Sequence, residues 1–184
     1  MSTLAAPAIT TWNVDSTHSV VEFKVKHMMI SNVKGQFTAV TGALSLNEAD
    51  LTQSSVEAQI EIASVHTRDE GSDAHLKGAD FFDAEQFPTM QLKSTHIAIK
   101  SDGELVVTGD LTIKGVTRSV AFAVEGPTPA TKDPWGNTRI GVEATTKINR
   151  KDFGLTWNAA LEAGGLMVGE DISITLDLEF VKQA

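Results

Sequence analysis

The feature that most restricts this chain is an apolar period of two that recurs along most of its length. Val21, Phe23 and Val25 alternate with Glu22, Lys24 and Lys26, and Val56, Ala58, Ile60 and Ile62 alternate with Glu57, Gln59 and Glu61. Residues two apart share one face of a strand, so each segment has a dry face and a wet face. The alternation returns in Leu105, Val107, Leu111 and Ile113, in Val120, Phe122 and Val124, and in Ile140, Val142 and Ala144. It is most regular in Ile172, Ile174, Leu176, Leu178 and Phe180. Two more strands are expected: one between Gly35 and Leu46, where Gly35 and Gly42 mark bends, and one from Met90 to Ile99. Turn residues at Asn47 to Asp50, Ser101-Asp102-Gly103, Lys114-Gly115, Asp133 to Asn137 and Gly164-Gly165 separate the segments. About eight strands result.

The period is lost from Ser72 to Gln86, where Ala74, His75, Leu76, Ala79, Phe81 and Phe82 read as a short helix or two closed by Phe87-Pro88. Asn158 to Glu162 is expected to form one helical turn. So few helices cannot cover a parallel sheet, so the strands must form an antiparallel sheet closed on itself or folded into a sandwich. Glu104 to Lys114 could extend ~35 Å at the usual rise per residue. Strands of that length favour a tall barrel. The expected fold is an all-β, antiparallel eight-stranded barrel with a short helical segment around residues 72–86. The interior of such a barrel is filled by side chains or left open for one small ligand, which here must be apolar because the inferred inner face carries no charge.

A chain of 184 residues suits one domain. The expected organisation is a flexible segment over residues 1–10 and a single barrel domain over 11–184. With no cysteine, disulfides, Cys-ligated zinc and thiol nucleophiles are excluded. A net charge of -9 opposes a phosphate backbone, so no nucleic-acid partner is expected. No apolar run approaches the ~20 residues that span a bilayer. Met1 to Thr11 lacks the basic and apolar regions of a signal peptide, and a cytoplasmic protein is the expectation.

Several motifs in order resemble the YceI-like, or polyisoprenoid-binding, family. They are Trp12 to Ser19 leading into Phe23 and Lys26-His27; Gly35-Gln36-Phe37 and Gly42; and Asp73-Ala74-His75-Leu76-Lys77 with Asp80-Phe81-Phe82-Asp83 and Phe87-Pro88. Gly109 to Thr117 and Ile148 to Leu155 complete the set. The resemblance implies a lipocalin-like barrel with an elongated apolar cavity that takes isoprenoid chains, isoprenoid quinones or other long acyl compounds. It also implies a homodimer; no cofactor is expected. Many members of the family are exported, and many carry arginine where this chain has Ser72, an ion pair that only the nearby Arg68 could replace.

Candidate ligand-binding residues are Phe23, Val25, His27, Phe37, Ile60, Leu76, Phe81, Phe82, Met90, Leu92, Leu111, Ile113, Phe122, Ile140, Arg150, Phe153, Ile174 and Leu176. His27 could meet a headgroup at a cavity mouth or be a satisfied core histidine. Arg150 could bind a phosphate or quinone head, or pair with Asp152 or Asp15 to fix a strand end. Phe81 and Phe82 read as a lid, a wall or plain core, and Asp80 and Asp83 as capping or solvated groups. Asp15, His18 and Ser19 have the residue types of a hydrolytic triad, but neighbouring strand residues diverge, so polar closure of a barrel end is the simpler reading. The five histidines show no metal-ligand spacing, and no catalytic or metal site is assigned.

The expected function is binding, storage or transport of a long apolar lipid, with transient membrane contact and no transmembrane segment. Leu111→Arg is then expected to abolish lipid retention without unfolding. The alternatives are a hydrolase or isomerase acting in the same cavity, and a ligand-free stress-response interaction module with a packed barrel.

Overall fold

A computed structural model describes residues 9–162 and 164–184. The first eight residues of the segment expected to be flexible lie outside these, while Ile9 and Thr10 belong to the first strand. In chain order the strands are β1 (Ile9–Val14), β2 (Val20–His27), β3 (Ser31–Phe37), β4 (Val40–Asn47), β5 (Ser55–Glu61) and β6 (Val65–His66). The one α-helix among the described residues, α1 (Glu70–Lys77), follows, then β7 (Thr89–Ile99), β8 (Leu105–Ile113), β9 (Val116–Glu125), β10 (Thr131–Lys132), β11 (Thr138–Asn149) and β12 (Val168–Lys182).

The sheet closes in the order β11-β9-β8-β7-β5-β4-β1-β12, with β12 returning to pair β11 from Asn149↔Asp171 to Arg139↔Val181. Every pairing is antiparallel, and the result is a closed eight-stranded barrel. Three of its strands are bent. β1 and β2 are joined through a 3₁₀ turn at Ser16–His18, β3 and β4 through Thr38-Ala39, and β5 and β6 through a 3₁₀ turn at Ile62–Ser64. The strand expected between Gly35 and Leu46 is therefore two strands with one break. β12 serves both halves of the bent partner: its C-terminal end pairs β1 and its N-terminal part pairs β2.

Local chemistry sets the joints. Lys114 and Gly115 both take positive φ, 50° and 75°, as a tight two-residue hairpin requires, and connect β8 to β9. Asp69 caps α1 by accepting from Gly71 N at 3.1 Å. Asp73 Oδ1 accepts from Thr67 N at 2.8 Å and Thr67 Oγ1 at 2.6 Å, tying the helix to the end of β6. Asn158 to Glu162 does not form the expected helical turn. Ala160 instead bridges Leu166 antiparallel, because Gly164 and Gly165, both at φ 88°, let the chain reverse there.

β9 and β11 pair only over Ala123 to Glu125 and Thr145 to Glu143 and then separate. The 3₁₀ segment Arg150–Phe153 packs against both strands. Its Phe153 is buried among the largest inaccessible side chains with Trp12, Phe180, Ile62, Val40 and Val65.

Candidate functional site

The bends divide the barrel interior. In the half built from β2, β3, the N-terminal part of β12, α1 and the segment after β11 lies a cavity of about 320 Å³. β2 contributes Phe23, Val25 and His27, β3 contributes Phe37, and β12 contributes Ile174. Leu76 from α1 and Phe81 and Phe82 from the turn after it form the opposite wall, with Met90 of β7, Ile113 of β8, Arg150 and Phe153. These twelve expected residues are brought together.

Leu92, Phe122 and Leu176 instead line a second, smaller apolar cavity of about 90 Å³ in the other half of the barrel. Ile60, Leu111 and Ile140 border neither; they are buried core. Strand alternation alone does not tell which stretch of an inner face lies beside an opening.

Sequence reasoning missed Val21, Ile148 and Ile172, which share the inner face of their strands with residues it did name. It also missed Lys26, Val33 and Val168 on strands, and Thr67, Ser72, His75, Leu155, Trp157 and Met167, which reach the wall from loops or the helix. For the loop residues nothing in the local pattern signals the contact.

The wall is mostly apolar; its Thr67, Ser72, His75 and Arg150 side chains have hydrogen-bond partners, whereas those of Lys26 and His27, beside the β2–β3 turn, make none among the described residues. Arg150 is buried and enters no ion pair among the described residues. Its guanidinium donates to four backbone carbonyls: Leu155 O at 2.7 Å, Trp157 O and Gly169 O at 2.8 Å, and Val168 O at 3.3 Å. The expected pairs with Asp152 or Asp15 do not form. Burial lowers the Arg150 pKa from its ordinary value, although an arginine stays charged at any physiological pH.

His75 Nε2 lies 2.9 Å from Asp80 Oδ2, and its ring packs edge-on against Phe81 and Trp157, with centroids 4.9 and 4.6 Å apart. Phe82 meets Phe37 edge-on at 5.7 Å. Ser72 donates to Asp69 at 2.8 Å, and Arg68 enters no ion pair among the described residues. Among those residues no buried side-chain nitrogen or oxygen is left without a hydrogen bond. Such a wall offers apolar surface and few free polar groups, so it can hold a hydrocarbon chain and has little with which to polarise a bond.

The charged residues gather elsewhere, at the joint between β1 and β2. Asp15 Oδ2 lies 2.8 Å from His18 Nδ1 and 2.6 Å from Arg139 Nη1, while Arg139 Nε reaches Asp133 Oδ2 at 2.7 Å. The His18 hydrogen bond and Arg139 lower the Asp15 pKa to about 2, and Asp15 in turn raises that of His18. Arg139 holds Asp133 down to about 2. Donor atoms of Asp15, His18 and Glu179 fall within 4.8 Å of one another, close enough to suggest a metal site. Arg139 Nη1 already lies 3.3 Å from Glu179 Oε2, so a guanidinium supplies the positive charge there. Ser19 Oγ accepts from Glu179 N at 3.0 Å and contacts Glu179 O at 3.4 Å, so the hydroxyl is engaged by backbone.

A closed barrel of bent strands enclosing apolar cavities defines a lipocalin-like cavity barrel as the class. A family model described as the YceI-like domain matches residues 12–180, and the chain belongs to that family. The UPF0312 protein SAS2572 of Staphylococcus aureus strain MSSA476 is 38% identical over 173 residues, covering 94% of this chain and 98% of the relative. Among solved structures, a Campylobacter jejuni YceI protein superposes with TM-score 0.70 at 30% identity, covering 88% of this chain and 91% of that one. Burkholderia cenocepacia BcnA superposes with TM-score 0.75 at 24% identity over 90% of this chain and 98% of that one. A polyisoprenoid binding domain from Saccharophagus degradans gives TM-score 0.67 at 14% identity over 95% of this chain and 99% of that one. The last two likenesses are likenesses of fold. No helix among the described residues is long and apolar enough to cross a membrane.

Proposed function

We propose that this protein carries a long apolar lipid of the isoprenoid class, with the chain held in the cavity of about 320 Å³ between β2, β12 and α1. The observation that supports this most is the wall itself: aromatic and branched side chains from both sides, with His75 and Arg150 already hydrogen-bonded. At about 25 cal/mol per Å² of apolar area removed from water, a buried chain is held by several kcal/mol without directional contacts. Selectivity would then follow chain width and length more than head chemistry. A structural relative described as a polyisoprenoid binding domain is consistent with the reading.

Binding is favoured over catalysis. A hydrolase needs nucleophile, base and orienting carboxylate within reach of one another. Here Ser19 is turned to the backbone of Glu179 while His18 faces Asp15 and Glu179.

Native mass spectrometry of the freshly purified protein, followed by organic extraction, tests the proposal. A stoichiometric isoprenoid or quinone is the expected result. A protein that is empty and takes up no added prenyl lipid would overturn it in favour of a ligand-free interaction module.

A further inference from the structure

The β2–β3 hairpin ends in Met28-Met29-Ile30, which are 39%, 58% and 80% exposed, and Leu166, 38% exposed, stands close by. The two segments are joined where Met28 N donates to Met167 O at 2.7 Å, and a Cβ on Gly165 would lie 3.4 Å from Met29 Cγ. Large apolar side chains gathered at one projecting point add nothing to the core, and such patches mark contact surfaces.

The backbone adds a second cost at the same place. Met28 and Met29 both have positive φ, 51° and 61°, in a turn closed by Ile30 N to His27 O at 3.2 Å. That is the φ pattern of a type I′ turn, for which Asn-Gly is the favoured pair. Two methionines in the left-handed region, both facing solvent, point to a function for the tip.

Position and charge indicate what it meets. His27, Val33, Met167 and Val168, next to the tip, line the larger cavity. Between Val20 and Phe37 the chain has three lysines against one glutamate, +2 over the hairpin in a protein of net -9, while the β12 stretch beside it adds Asp171 and Glu170, the latter paired to Lys151. Lys24, Lys26 and Lys34 are all exposed, and none is in an ion pair among the described residues. Lys24 and Lys34 are direct cross-strand partners, an arrangement that disfavours the hairpin in isolation and suits an anionic surface. A second copy of the chain fits less well. A projecting tip of four side chains offers a few hundred Å², short of the roughly 800 Å² per partner that a standard protein interface buries.

We infer that this tip is a membrane-docking finger: Met28, Met29, Ile30 and Leu166 enter an anionic lipid bilayer while Lys24, Lys26 and Lys34 face its headgroups. The purpose of such docking rests on the carrier reading, since it brings one end of the cavity to the layer that holds the cargo. Its test does not rest on that reading.

Flotation of the full chain with vesicles of phosphatidylcholine, with and without anionic phosphatidylglycerol, reads docking directly. The wild type should float with the anionic vesicles more than with the neutral ones. Met29→Asp combined with Ile30→Asp should lower its apparent affinity by about tenfold or more, as loss of two buried apolar anchors implies. Because that variant could weaken the hairpin, Met28→Asn combined with Met29→Gly serves as the second variant. It installs the favoured turn, so Tm should hold or rise while flotation still falls.

Wild type that floats with neither vesicle, or tip variants that float as the wild type does, would overturn the inference. So would tip variants that only convert a dimer to a monomer in sedimentation, which would make the tip an interface between copies. Extracting lipid from the same preparations separates the two readings. Intact flotation by a protein that holds no lipid keeps the docking surface and removes the carrier, whereas lipid retained by tip variants that no longer float supports both.

Discussion

At Arg150 a guanidinium is buried beside backbone carbonyls alone. Glu170, which is close enough to oppose the loss of charge, is paired to Lys151 at 2.6 Å. The planar fork of arginine suits this site, because its donors diverge in fixed directions and reach carbonyls from two strands of one loop, Leu155 and Trp157 on one side and Val168 and Gly169 on the other. The residue therefore clasps the ends of the segment that closes the cavity, a role different from headgroup binding. Arg150→Met leaves these acceptors short of donors and should cost about 2–4 kcal/mol in urea unfolding. Arg150→Lys, with a compact ammonium in place of the fork, should recover less than half of that. Amide exchange over residues 155–169 should rise in both variants, and unchanged exchange there would refute the clasp. None of this was legible in the sequence. A carbonyl acceptor has no residue type, so the partners the sequence suggests are carboxylates, Asp152 or Asp15.

Strand bends are the next scale, and one of them is held by charge. The network of Asp15, His18, Arg139, Asp133 and Glu179 links the β1–β2 joint to β11, β12 and the hairpin that carries Asp133. Asp15 titrates near 2 in the folded protein, below its ordinary value of 3.8, so its contribution is present above about pH 4 and is lost as the pH falls toward 2. His18 has the opposite sign. Its folded pKa lies above the ordinary value of 6.5, so its contribution is complete below that value and is lost as the pH rises through the raised one.

Thermal melts across pH should therefore show a plateau in the weakly acidic range with losses on both sides. Arg139→Met should lower the plateau only modestly, because the group is near solvent. It should also flatten the acid limb, since Asp15 would return toward its ordinary pKa. Melts of the variant that kept the full acid slope would show that Arg139 does not set it.

At this joint β2 was readable from alternation, which reports burial on one face, whereas β1 (Ile9–Val14) was not. Nor was the partner Arg139. It lies 124 residues from Asp15 and is brought there only by the pairing of β11 with β12 and β12 with β1. Likewise Gly35 was read as a bend, whereas its lack of a side chain makes room for the Phe23 ring, whose Cζ would lie 2.2 Å from a Cβ there.

Across the whole molecule the two cavities lie end to end. On β7 the larger is lined by Met90 and the smaller by Leu92; on β12 they are lined by Ile174 and Leu176. On β8 the smaller takes Val107 and the larger Ile113, and Leu111 occupies the inner face between them. Leu111 is 6% exposed, so Leu111→Arg would bury an unpaired guanidinium and should unfold the barrel, contrary to the expectation from alternation alone. Leu111→Ala asks the sharper question. Removing a buried leucine side chain costs about 2–5 kcal/mol, less where the gap is filled, and here the gap would join two apolar spaces. If the cargo chain runs along the barrel axis, the variant should accept longer prenyl chains than the wild type and recover part of its lost stability when one is bound. Competition among prenyl alcohols of graded length, read by native mass spectrometry with Tm measured in parallel, distinguishes the outcomes. A preference shifted toward longer chains would place the end of the cargo at Leu111, and an unchanged preference would confine it to the half of the barrel beside α1.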